Sequence, residues 1–201
     1  DLYPADRWNP LGYHEEIHVR DLNMELIHGP WGRLSYFSLP SADTILRRAE
    51  KRKEAIAALA SSHAPGVVKD ARFCLTLGAW RRHSAGIQRV LVCMRHPREV
   101  ALSIRARNRA PLGLGYQLWY EHNRRLLADL DGLRVRFVLY SRLLDRSTAD
   151  AELGPCLEHI RKLCANLVDP ESNHHAGVDA PFPSNVAALW KELLNRHSVQ
   201  R

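Results

Sequence analysis

The sequence predicts an α/β fold, a mostly parallel sheet flanked by helices, in one domain spanning residues 1–201. Three observations carry that expectation. Val90 to Met94 is an unbroken apolar run, suited to a strand covered on both faces in a parallel sheet. It runs straight into a polar turn, Arg95-His96-Pro97, and then into helical spacing at Val100, Ala101 and Ile104; Pro97 suits a first helical turn and Glu99 a positive helix start. The rest of the chain alternates helical periodicity with short strand-like runs, and its length is enough for one ordinary core.

Taken in order, residues 1–13 combine two Pro, a Gly, a Trp and two Tyr and read as irregular. Ile17, Leu22, Leu26 and Ile27 then recur at helical spacing, predicting a helix from His14 to His28 that Gly29-Pro30 ends. Residues 33–40 read as a loop. Ser41 is a good N-cap for one helix from about Ala42 to Ser62, its charge block at Arg47 to Glu54 forming a solvated face. Beyond the Ala64-Pro65-Gly66 turn, Val67-Val68 is a short strand signal that Lys69-Asp70-Ala71-Arg72 breaks at its carboxyl end.

The second half continues the pattern. Leu118, Trp119, Leu126, Leu127 and Leu130 give an amphipathic helix over Gly113–Leu130, with Tyr116 on its more polar side. Arg134 to Tyr140 alternates toward an apolar end and predicts another strand. Residues 148–167 predict a third long helix packed through Leu153, Leu157, Ile160 and Leu163, residues 168–183 a polar Pro-rich connection, and Ser184–Asn195 a closing helix with Trp190.

Composition narrows the function classes. With 45% hydrophobic and 25% charged residues the chain is globular, and no stretch approaches the apolar length of a membrane span. The net charge of +7 favours an anionic partner. Its 24 Arg against 5 Lys also fit a GC-rich genome, and no dense basic block interleaves with aromatics, so nucleic acid is not the expected partner. Cys74, Cys93, Cys156 and Cys164 form no CxxC pair; Cys93, inside the strand, reads as a core residue, and a reduced cytoplasmic protein is the default. His174-His175 has no carboxylate or Cys at ligand spacing, so no metal is expected.

Four segments carry chemistry. A strand followed by R-x-P, with Ser103 eight residues after Arg95, puts a guanidinium at a strand's C-terminal tip and a hydroxyl about two turns into the next helix. That sheet edge is where open α/β folds bind ligands, and the two groups suit one phosphate. Upstream stands NPLGYHEEIHVRDLNMELIHGPWG, with Asn9, Pro10, Gly12, Tyr13, Glu15, Asn23 and Trp31; between the two lies Lys69-Asp70-Ala71-Arg72, and downstream Tyr140 is followed by SRLLD.

Together these resemble, in the same order, the segments of sulfotransferases that use 3′-phosphoadenosine 5′-phosphosulfate, especially the bacterial and carbohydrate types. The resemblance implies a P-loop-NTPase-like α/β fold and sulfuryl transfer to a hydroxyl on a small-molecule, lipid or carbohydrate acceptor, with no metal. It implies that Arg95 and Ser103 grip the donor's 3′-phosphate, that Lys69 offsets charge developing on the leaving group, and that Glu15 removes the acceptor's proton. His14, Glu16 and His18 stand beside Glu15 as rival bases, and Arg72 is a weaker candidate than Lys69.

The chain departs from the family pattern at three places. Ala71 replaces the usual Pro of K-D-P-R, and Ser141 and Arg142 occupy the acidic positions of Y-E-D-L-L. The strand and Gly-Ser/Thr-rich loop that cradle the 5′-phosphosulfate have no counterpart before Asn9, and the resemblance puts them immediately N-terminal to Asp1. Other phosphate-binding α/β enzymes, such as kinases, call for a Gly-Lys-Ser/Thr loop and an acidic magnesium ligand, which the residues do not display. A non-catalytic domain binding an anionic polymer through its basic face stays open, as do the acceptor and the oligomeric state.

Overall fold

The computed structural model describes residues 1–7, 9–10, 12–29, 38–154 and 181–200. The fold is α/β, with helices far outweighing a two-stranded parallel sheet among the described residues. Two compact units divide the chain: Asp1–Gln88 with His122–Leu133, and Arg89–Glu121 with Arg134–Arg201.

The first unit is a helical core. Helix α1 (Ile17–His28) buries Val19, Leu22, Leu26 and Ile27 against Ile45 and Ala49 of α2 (Ala42–Glu50), Ile56 of α3 (Lys53–Ser62) and Leu75, Ala79 and Trp80 of α4 (Phe73–His83). Helix α1 starts three residues later than its periodicity suggests. Glu16 is its N-cap, accepting the Val19 N–H at 2.8 Å, while His14 at φ 52° and extended Glu16 are incompatible with an earlier helical turn. At its other end Gly29 turns at φ 68°, and Arg48 of α2 donates to the carbonyls of Leu26 (2.9 Å) and Ile27 (2.6 Å).

Three expectations change in this unit. The single helix over Ala42–Ser62 is two, because the Lys51 and Arg52 N–H groups close tight turns onto Arg48 and Ala49, and Arg52 leaves helical geometry at φ −120°, ψ 15°. The bend lets both segments pack on α1 and α4, and Arg52 forms an ion pair with Glu25 of α1 at 3.2 Å. Val67-Val68 forms no strand: two apolar residues make too short a run, and Val67 is 79% exposed. Helix α4, which the sequence reading leaves undrawn, follows directly, its Thr76, Leu77, Ala79 and Trp80 buried.

In the second unit β1 (Arg89–Met94) pairs in parallel with β2 (Arg134–Leu139), Arg89 opposite Arg134 and Met94 opposite Leu139. Between them run α5 (Pro97–Asn108) and α6 (Leu112–Asp129), whose second half, from His122, belongs to the first unit. Gly115 of α6 lies so close to α5 that a Cβ there would stand 2.7 Å from the Ala101 Cα; only glycine permits that approach. Beyond β2 come α7 (Tyr140–Leu144), α8 (Arg146–Leu153) and α9 (Ser184–Val199). The Gln200 amide side chain clasps β2, accepting from the Phe137 N–H at 2.8 Å and donating to the Val135 carbonyl at 3.1 Å.

Strand β1 is covered on one face rather than two. Val92 and Met94 are buried, while Leu91 is 43% exposed and Cys93 is exposed, so Cys93 is not a core residue. A run of five apolar residues does not by itself say how many layers cover a strand. Tyr140 opens α7 instead of extending β2, and Tyr116 is buried, with the Arg98 guanidinium donating to its hydroxyl at 3.3 Å. Helix α8 starts at Arg146 and stops at Leu153, because Gly154 (φ 66°) closes it back onto Asp150. Of the predicted 148–167 helix, the stretch from residue 155 lies outside the described residues, as do Trp31, Cys156, Cys164 and His174-His175. Helix α9 runs four residues past the predicted Asn195.

Candidate functional site

The first unit brings Glu15 and Lys69 together across 54 positions. Tyr13 to Glu16 forms a short connection into α1, turned by the left-handed backbone of His14. That turn wraps one ammonium: Lys69 Nζ donates to the Tyr13 carbonyl at 2.7 Å and to Glu15 Oε1 at 3.3 Å. Arg72, the residue before α4, donates to Glu15 Oε2 at 3.0 Å and to Asp70 Oδ1 at 2.9 Å. Two cations thus face two carboxylates, and the cluster is charge-balanced.

Behind it lies a buried network that sequence reasoning misses. Asp70 accepts the Arg72 backbone N–H on Oδ1 at 2.7 Å and the Asn23 amide on Oδ2 at 3.2 Å. The Asn23 carbonyl oxygen in turn accepts from Thr76 Oγ1 and Trp80 Nε1, each at 2.8 Å. Asn23 and Thr76 are fully buried, so every polar atom here must find its partner within the protein. No local pattern marks these contacts, which join α1 to α4; the only sequence signal is that Asn23 and Asp70 fall inside the two segments read as functional.

The geometry sorts the rival acids and bases. Glu16 is committed to capping α1, with His63 Nε2 and the Asp1 terminus each 3.7 Å from its carboxylate. His14 is exposed. His18 lines an open groove of about 360 Å³ with Asp21, Leu22, Glu25, Arg52, Ala55 and Leu59. Glu15 is only 4% exposed. Burial pushes its carboxyl upward, but the hydrogen bond from Arg72 and the charge of Lys69 outweigh it, and the net is a carboxyl below the usual glutamate range.

A pH dependence follows. Because the folded state holds Glu15 below its unfolded proton affinity, its contribution to stability is complete above the unfolded value, about 4.3, and is lost as pH falls through the folded one. The urea midpoint of the native chain is therefore expected to fall more steeply below about pH 5 than that of Glu15→Gln. Parallel curves for the two proteins would contradict the clamped carboxylate.

The second unit holds the other two candidates. Arg95 directly follows β1, where its Nε donates to Glu99 Oε2 of α5 at 3.1 Å and its guanidinium carbon lies 4.9 Å from the centre of the Tyr140 ring. Its carbonyl accepts from Trp119 Nε1 at 3.1 Å, which anchors the strand tip to α6. Ser103 is half-buried on α5. Arg142, at an acidic position of the family pattern, pairs instead with the buried Glu152 at 3.2 Å. Among the described residues no three His, Cys, Asp or Glu side chains converge as a metal site, and no helix is long and apolar enough to cross a membrane.

Compared with family models, curated proteins and solved structures, the chain matches none.

Proposed function

We propose that this protein is a sulfotransferase that moves a sulfuryl group from 3′-phosphoadenosine 5′-phosphosulfate to a hydroxyl of a small-molecule, lipid or carbohydrate acceptor. The observation that carries the reading is the Glu15–Lys69 pair: a carboxylate and an ammonium, from segments far apart in sequence, held 3.3 Å apart with the ammonium 56% exposed. Sulfuryl transfer calls for that combination, a base for the acceptor hydroxyl and a cation for the departing phosphate oxygen.

In the proposed reaction an acceptor oxygen forms the new S–O bond in line with the bond that breaks. The electron pair of the broken S–O bond stays on the phosphate of adenosine 3′,5′-bisphosphate, where Lys69 offsets the charge. The acceptor's proton passes to Glu15. Arg95 and Ser103 take the 3′-phosphate, Arg95 exchanging the Glu99 carboxylate for a phosphate that its planar fork also fits. Correct positioning and charge neutralisation supply most of the acceleration, as in phosphoryl transfer. The proposal includes a P-loop-NTPase-like sheet larger than the two described strands and a reducing, cytoplasmic setting.

Calorimetric titration with adenosine 3′,5′-bisphosphate, beside adenosine 5′-phosphate and Arg95→Ala, tests the reading. Loss of the charge-assisted contact is expected to weaken binding by about 1.5–3 kcal/mol, roughly 10- to 150-fold. Equal or absent binding of the two nucleotides by folded protein would reject the reading and favour a non-catalytic anion-binding domain.

A further inference from the structure

We infer that Lys69 is a cation shared between Glu15 and the sulfuryl donor, so that donor binding itself draws Lys69 away and leaves Glu15 ready to take the acceptor's proton. The inference rests on the sulfotransferase reading and adds an order of events to it.

The two cations on Glu15 are held very differently. Arg72 is mostly buried, and its guanidinium bridges Glu15 and Asp70. Asp70 is itself held by the Arg72 N–H and by Asn23. Removing Arg72 from Glu15 breaks into that network. Lys69 is a compact ammonium on a flexible stem, more than half exposed, with two of its three N–H groups used on Tyr13 and Glu15. It is the cation that can leave.

The charge balance gives the leaving a consequence. Lys69, Arg72, Glu15 and Asp70 sum to zero, so an incoming anion meets no uncompensated charge until a pair opens. If Lys69 turns to the donor, Oε2 keeps its bond from Arg72 while Oε1 loses its partner in a buried position. Burial, already the largest influence on this carboxyl, then faces one cation instead of two, and the proton affinity rises. Among the described residues no other charged group takes Lys69's place: Arg72 faces Glu15 from the start of α4, Glu16 is bound to Val19 and lies near His63 and the amino terminus, and His14 and His18 are exposed. A carboxylate clamped by two cations is a poor base, whereas one released when the donor arrives is a better one. Donor binding before acceptor activation follows.

The test follows the Glu15 carboxyl by carbon NMR in the full chain labelled at glutamate, its signal assigned by its disappearance in Glu15→Gln. Wild type, Lys69→Met and Lys69→Arg are each titrated with acid, free and with 3′-phosphoadenosine 5′-phosphosulfate. The Trp80 indole N–H, bound to Asn23, reports that the buried network is intact in each protein. The expected result is a Glu15 midpoint that moves to higher pH when donor binds wild type. In Lys69→Met it should be high without donor and move no further; in Lys69→Arg, free, it should stay low. Donor binding that leaves the midpoint in place, or a low midpoint in Lys69→Met, overturns the shared cation while sparing the sulfotransferase reading. Failure of the wild type to bind donor overturns both.

Discussion

Asn23→Ala is expected to cost about 3–5 kcal/mol of folding stability, since it breaks three buried hydrogen bonds at once and strips the partner from Trp80 Nε1 and the inner oxygen of Asp70, while Thr76 Oγ1 keeps only its longer bond to the Arg72 carbonyl at 3.2 Å. A buried polar group left unpaired keeps its full desolvation cost, so the loss exceeds that of three ordinary hydrogen bonds in water. Thr76→Val is the control. It removes one of the three bonds and should cost only about 1 kcal/mol. Urea unfolding followed by tryptophan fluorescence separates the two; an Asn23→Ala midpoint no lower than that of Thr76→Val would mean the network is not holding α1 to α4. The consequence reaches the candidate site, because Asp70 fixes Arg72 and Arg72 fixes Glu15.

Glu152→Ala is expected to be comparably damaging in the second unit, by about 3–5 kcal/mol. The Glu152 carboxylate is buried, with Oε1 accepting from the Leu139 N–H at 2.5 Å and lying 2.6 Å from His197 Nε2, while Arg142 stands 3.2 Å from Oε2. It therefore joins the end of β2, α7, α8 and α9. Its removal leaves a backbone N–H and a buried histidine without their shared acceptor and takes the counter-charge from the Arg142 guanidinium, and each buried polar group left unpaired keeps its full desolvation cost. Glu152→Gln keeps the side-chain length and an acceptor for Leu139, so its midpoint should lie between wild type and Glu152→Ala. Thermal and urea unfolding monitored at Trp190 of α9 measure both; a Glu152→Ala protein as stable as wild type would show that this junction is dispensable.

Much of the fold is legible in the residues. The helix at Pro97 follows from a proline and a glutamate at its start, the α2 N-cap from Ser41, and α6 from its apolar spacing. These are short-range effects, decided within one or two turns of chain, and a sequence displays them directly. The candidate site was legible in its ingredients: Glu15 and Lys69 stand out through the segments around them, and Arg95 through the strand that ends at it. Its electrostatic state was not. Nothing within a few residues of Glu15 says that Lys69 and Arg72 share it.

Sequence alone determined that the stretches around α1, α2, α5, α6, α8 and α9 coil and that Val90 to Met94 and the run from Arg134 are strands, and it singled out four segments as candidates for chemistry. Tertiary structure alone decided the bend at Lys51-Arg52, which no Gly or Pro announces, the one-sided covering of β1, and the use of Glu16 as the cap of α1. It also decided that Asn23, 47 residues from Asp70 and 57 from Trp80, serves both. The physical reason is common to all of these. Periodicity and capping are paid within a single turn, whereas a buried hydrogen bond or a balanced charge cluster depends on how helices distant in sequence pack, and only the folded chain sets that distance and angle.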